Sequence, residues 1–148
     1  MEDPESRVFH KALCVATAAG PRLLTIGATD ALLKLWRVEQ GRFVGETLWH
    51  PRFGGKWDRL RDVELGDLNA DGKPELVVGT HDQGVIAVVS RAGEGWQARE
   101  IYREAETFVH EIELGDVLGT GGLPTAFRGL QASLQAAGWS VQDRCGRA

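Results

Sequence analysis

The chain has 148 residues, 43% hydrophobic and 26% charged, a balance that suits one globular domain. Its 17 Lys and Arg against 21 Asp and Glu give a net charge of −4 with no basic block, which argues against a nucleic-acid partner. Apolar runs such as Leu76 to Val78 and Val85 to Val89 are far too short to cross a bilayer, so no membrane span is expected.

In chain order, the acidic start Met1-Glu-Asp-Pro-Glu-Ser-Arg7 lacks the positive region and apolar run of a secretory signal, and residues 1–11 read as a loose leader. Short β-type runs separated by turn signals follow. They are Ala12 to Thr17, Arg22 to Ile26, Leu32 to Val38, Phe43 to Leu48, Leu60 to Leu65, Glu75 to Gly79, Val85 to Ser90, Trp96 to Tyr102 and Val109 to Leu114. The 19 glycines suit the many tight turns such strands need. Beyond residue 120 the character changes. Pro124 to Ala137 sets Phe127, Leu130 and Leu134 at helical spacing, with Pro near the start and Gly138 just past the end, so residues 121–148 read as a helical or irregular tail.

The strands repeat. Asp62-Val-Glu-Leu-Gly-Asp67 matches Glu111-Ile-Glu-Leu-Gly-Asp116, 49 positions on and identical at four of six. Leu76-Val-Val-Gly-Thr-His-Asp82 followed by Val85 to Val89 likewise parallels Leu24-Thr-Ile-Gly-Ala-Thr-Asp30 followed by Leu33 to Arg37, at a spacing of 52. A unit of about 50 residues holds four short strands, the size of one propeller blade. The expected fold is therefore all-β: a partial β-propeller of two to three four-stranded blades over residues 12–120, followed by a short C-terminal helix. Closed propellers need at least four blades, so further blades or self-association are expected to cover the open edge.

Asp67-Leu-Asn-Ala-Asp-Gly-Lys-Pro-Glu75 places Asp67, Asn69, Asp71 and Glu75 at loop positions 1, 3, 5 and 9, with Gly72 at the sharp turn. Hard oxygen donors at this spacing suit calcium, with the carbonyl of Lys73 and water completing the shell. An EF-hand is excluded because position 12 is Val78 and both flanks read as strands. The bland alternative is an Asx-rich turn that caps itself through side-chain to backbone hydrogen bonds.

On these residues the chain resembles the FG-GAP/VCBS repeat family, which includes the calcium loops of integrin α-subunit propellers. The resemblance rests on Gly66 to Val78, and more loosely on Glu113-Leu-Gly-Asp116, and it covers about residues 20–118. It implies a structural calcium ion held by Asp67, Asn69, Asp71, Lys73 and Glu75, in a module that binds or scaffolds proteins or carbohydrates rather than catalysing a reaction. The family more often has Asp at the ninth position, and it is often exported. At the second copy, Leu118, Thr120 and Pro124 replace three of the ligand positions, and Ala18-Ala-Gly20 leaves the first repeat without carboxylates, so one competent site is expected. The alternative function is a remnant of a carbohydrate-active propeller enzyme of the lyase or hydrolase type, marked by carboxylates and His converging in one pocket. Leu32 to Val38 also looks like the third strand of WD-repeat blades, with Arg37 where those have Asp.

Other residues carry weaker signals. His50, His81 and His110 lie near strand ends, and His110-Glu111 with His81-Asp82 could form an acid–base pair, although inter-blade hydrogen bonding is the plainer use. His10 falls in the leader and carries no inference. Trp36, Trp49, Trp57 and Trp96 are expected between blades, while Trp49 to Trp57 forms a long aromatic and basic connection suited to a partner. Cys14 and Cys145 stand alone, without metal or redox spacing.

Overall fold

The computed structural model describes Pro4, Glu5, residues 7–115 and the backbone of Thr125–Arg128. Ten strands run in chain order. The first sheet contains β1 (Phe9–Thr17), β2 (Gly20–Gly27), β3 (Leu33–Glu39) and β4 (Arg42–Trp49); the second contains β5 (Leu60–Gly66), β6 (Glu75–Thr80), β7 (Val85–Ala92) and β8 (Gly95–Arg103). Each is an antiparallel meander in which sequence neighbours pair. A third, two-stranded sheet joins β9 (Ile112–Gly115) to β10 (Thr125–Arg128). The described residues are thus all-β, and none of their helices is long and apolar enough to cross a membrane.

Turn chemistry explains the meander. Glu39 pairs with Arg42 across Gln40 and Gly41, both at positive φ (49° and 75°), the two-residue turn whose twist matches the flanking strands. Thr17 pairs with Gly20 across Ala18-Ala19, so the first sheet does lack a ligand-bearing loop at the place where the second inserts residues 67–74.

Alternation along the strands divides the core in two. Leu24, Ile26, Leu33 and Leu48 of the first sheet meet Leu60, Val63, Leu76, Val78 and Val89 of the second in one cluster. The other face of the second sheet presents Val77, Ile86 and Val88 to Leu68, Val109 and Ile112. Covered on both sides, β6 is buried from end to end, which is why Glu75 to Thr80 reads as an almost unbroken apolar run. The sheets stack in order, with β1 beside β5, β4 beside β8, and β9 against β5 and β6.

Three sequence expectations are adjusted. β1 begins at Phe9, inside the residues read as leader. The predicted helix from Pro124 fails at its start, because Thr125–Arg128 is a strand whose backbone pairs with Ile112–Gly115; residues 129–137 lie outside the described residues. The repeat spacing of 52 also slips along the β6–β7 hairpin. Leu24 pairs with Leu35 where Leu76 pairs with Val89, so β7 is offset by two further residues.

Candidate functional site

The Asp67–Pro74 loop leaves β5 at Gly66 and returns to β6 at Glu75, and these two residues form the last pair of the ladder. Strands therefore flank it on both sides. Leu68, 1% exposed, plugs into the second core cluster and pins the loop's first turn, while Ala70 and Gly72 take left-handed φ of 59° and 81°. That path folds the following backbone amides back onto the preceding carboxylates.

The resulting network gathers all four oxygen-bearing side chains. Asp67 accepts from the N–H of Asp71 at 3.1 Å and of Gly72 at 2.8 Å, and Asp71 accepts from Lys73 N at 2.8 Å. Asn69 Oδ1 accepts from Asp71 N at 2.8 Å, an assignment that turns its Nδ2 toward Glu75 Oε1 at 3.1 Å and Asp71 Oδ2 at 3.4 Å. Glu75 is buried, and its other oxygen accepts from Leu68 N at 2.8 Å. Among the described residues no three His, Cys, Asp or Glu side chains are grouped as a ready metal cage. The carboxylates instead face loop amides, and the electropositive NH₂ of Asn69 sits between the oxygens of Asp71 and Glu75. Only Asp71 and Glu75 face that group, so the loop has the hydrogen bonds of a self-capping Asx turn, while its hard oxygens suit calcium in kind.

Asp30 accepts from Arg52 at 2.6 Å and meets His50 at 3.0 Å, so the long connection after β4 is tied to the β2–β3 turn. Within that connection Trp49 and Phe53 pack edge to face, and of its aromatic side chains Trp57, 49% exposed, is the one on the surface. Trp36 is buried with its Nε1–H donating to Thr25, and Trp96 packs on the first core cluster while donating to Glu46. Cys14 is exposed on β1, and Cys145 lies outside the described residues.

His81 and His110 do approach, their ring centroids 5.4 Å apart, and His81 Nδ1 lies 3.0 Å from Asp82 Oδ1, but Asp82 is shared with Arg59. Arg59 grips it with two bonds of 2.7 Å, and these, opposed by burial and aided by His81, hold its carboxyl below the usual aspartate range. Phe108 joins the group, 5.2 Å from His81.

Sequence reading missed a second cluster at the starts of the first strands. His10 and Lys11 of β1, Arg61 and Asp62 of β5, and His110 and Glu111 just before β9 line an open cavity of about 420 Å³. Lys11 Nζ bonds Asp62 at 2.8 Å and Glu64 at 2.5 Å. Burial opposes the charge on Lys11, but those bonds and the two carboxylates outweigh it and raise its pKa. The available signal was the apolar alternation of Leu13 and Val15, which runs back through the part-buried Lys11 and Phe9 and so takes in His10.

No protein-family model matches this chain, and none of the curated proteins or solved structures does either.

Proposed function

We propose that the chain is a calcium-binding stretch of β-propeller of the FG-GAP/VCBS type, acting as a protein- or carbohydrate-binding scaffold in which the ion is structural. The observation that carries this reading is the convergence of Asp67, Asn69, Asp71 and Glu75 within one strand-flanked loop. Two four-stranded meanders stacked first strand to first strand and last to last support the blade assignment. In this reading the third sheet begins a further blade, and additional blades or a second copy complete the ring.

Asp67, Asn69, Asp71, Glu75 and the carbonyl of Lys73 would hold calcium, which supplies positive charge to a loop rich in carboxylates. Binding on the order of 10⁻⁴–10⁻³ M is expected of such a loop, so its effect is stability rather than signalling. The enzyme-remnant reading is less favoured. Of the carboxylates in the cavity, Asp62 already accepts from Lys11, Val63 N and Ile112 N, which leaves it ill placed as a base.

Scanning calorimetry with calcium and with chelator tests the proposal. In millimolar calcium the wild type should melt a few degrees higher, and Asp71→Ala should not respond. An equal rise in both proteins would refute the site.

A further inference from the structure

The cavity at the strand starts is built by two matching irregularities. The β1–β2 ladder skips between Phe9 and Lys11, and the β5–β6 ladder skips between Leu60 and Asp62, so His10 and Arg61 are the residues left out of register. Bulges of this kind re-aim a side chain, and here both residues line the same cavity.

The groups around it divide into those already engaged and those available. Lys11 and Asp62 bond each other, and Asp62 also accepts from Val63 N at 2.9 Å and Ile112 N at 2.6 Å. His10 Nδ1 donates to the carbonyl of Leu60, leaving Nε2 as an acceptor. Arg61, half-buried, has no hydrogen-bond or ion-pair partner among the described residues, and neither does Glu111. The rigid fork of its guanidinium is matched by a planar carboxylate held through two bonds. One uncommitted cation and one uncommitted anion in the same cavity suit a ligand that carries a carboxylate together with hydrogen-bond donors. Glu111, with Asp62 also in the lining, disfavours a dianion but accepts hydrogen bonds from hydroxyl or ammonium groups.

We propose that this cavity binds a small monocarboxylate that also carries hydroxyl or ammonium donors, with Arg61 gripping the carboxylate and Glu111 receiving the donor. The site is separate from the Asp67–Glu75 loop and does not depend on calcium.

The test is an NMR titration of the full ¹⁵N-labelled chain with lactate, acetate, lactamide and inorganic phosphate. Lactate should cause saturable shifts at the Arg61 side-chain N–H and at the amides of His10 and His110. Acetate should bind about tenfold more weakly, and lactamide should not bind. Arg61→Gln should abolish the shifts, and Glu111→Gln should remove the preference for lactate over acetate. Arg61→Lys keeps the charge without the fork and should weaken lactate about tenfold, which decides the matter if Arg61→Gln does not fold. Unchanged binding in the Arg61 variants, phosphate binding as tightly as lactate, or no saturable shift with any probe would overturn the proposal.

Discussion

Asp62 Oδ2 accepts a 2.6 Å hydrogen bond from the backbone N–H of Ile112, fifty positions further along the chain. The carboxylate's other oxygen accepts from Val63 N at 2.9 Å and from Lys11 Nζ at 2.8 Å. One buried side chain, 5% exposed, therefore ties the first strands of all three sheets together. Asp62→Ala would leave the buried Ile112 N–H without its acceptor and Lys11 with Glu64 alone, at a cost of about 1–3 kcal/mol. Asp62→Asn keeps an acceptor for Ile112 and should cost less than half as much. Urea denaturation of both variants measures this, and an alanine loss below about 0.5 kcal/mol would show that the sheets are held together by apolar contact alone.

Two glycines at positive φ separate strain from collision. At Gly72, φ +81°, an added Cβ meets nothing within 4 Å, so Gly72→Ala should cost only the left-handed penalty of about 1–2 kcal/mol. At Gly84, φ +56°, the same atom would lie 2.1 Å from the carbonyl oxygen of Glu104, and that backbone is fixed by the Glu104 N–H to Gly84 bond. Gly84→Ala should therefore destabilise by at least about 3 kcal/mol or prevent folding. Thermal melts of the pair give the order, and equal losses would contradict the packing of residues 104–107 over this turn.

The strands were legible because apolar alternation and turn residues act locally. Leu33 to Val38 shows this best, with inward Leu33 and Leu35 separated by Lys34. The loop was legible for the same reason, since its donors lie within nine residues. The cavity was not. Its residues come from two sheets and the segment before a third, and Arg61 and His10 enter it through bulges that no periodicity encodes. Pro124 to Ala137 misled at its start because helical spacing of apolar residues was weighed without the unpaired edge of Ile112–Gly115, which takes Thr125–Arg128 as a strand.

The Arg59–Asp82 pair sets an acid limb on stability. The hydrogen bond from Arg59, opposed by burial, lowers the Asp82 pKa from its ordinary 3.8. A carboxyl depressed in the folded state contributes stability that is fully present above its unfolded pKa and disappears as pH falls through the folded one. The wild type should thus exceed Asp82→Asn in unfolding free energy at pH 6, by up to about 1 kcal/mol for a pair this near the surface. That advantage should shrink below pH 4 and vanish at lower pH. Parallel pH profiles for the two proteins would remove Asp82 as the source of the limb.

Lys34 is the residue that distinguishes the first sheet from the second. The cross-strand pair Thr25↔Lys34 is flanked by Leu24↔Leu35, as Val77↔Val88 is flanked by Leu76↔Val89. Where the second sheet turns two valines toward Val109 and Ile112, the first places a threonine and a lysine, both buried. The Lys34 side chain is 7% exposed, and its ammonium is ion-paired with Glu5 and 5.1 Å from the Trp36 ring centroid. The first sheet thus carries a buried ion pair where the second carries apolar packing. Lys34→Met restores the apolar pattern of the second sheet. Replacing a buried ionic contact by an apolar side chain of similar length should change the unfolding free energy by less than about 1 kcal/mol. Urea denaturation measures this, and a loss of more than about 2 kcal/mol would mean that the Lys34–Glu5 ion pair holds the first sheet together.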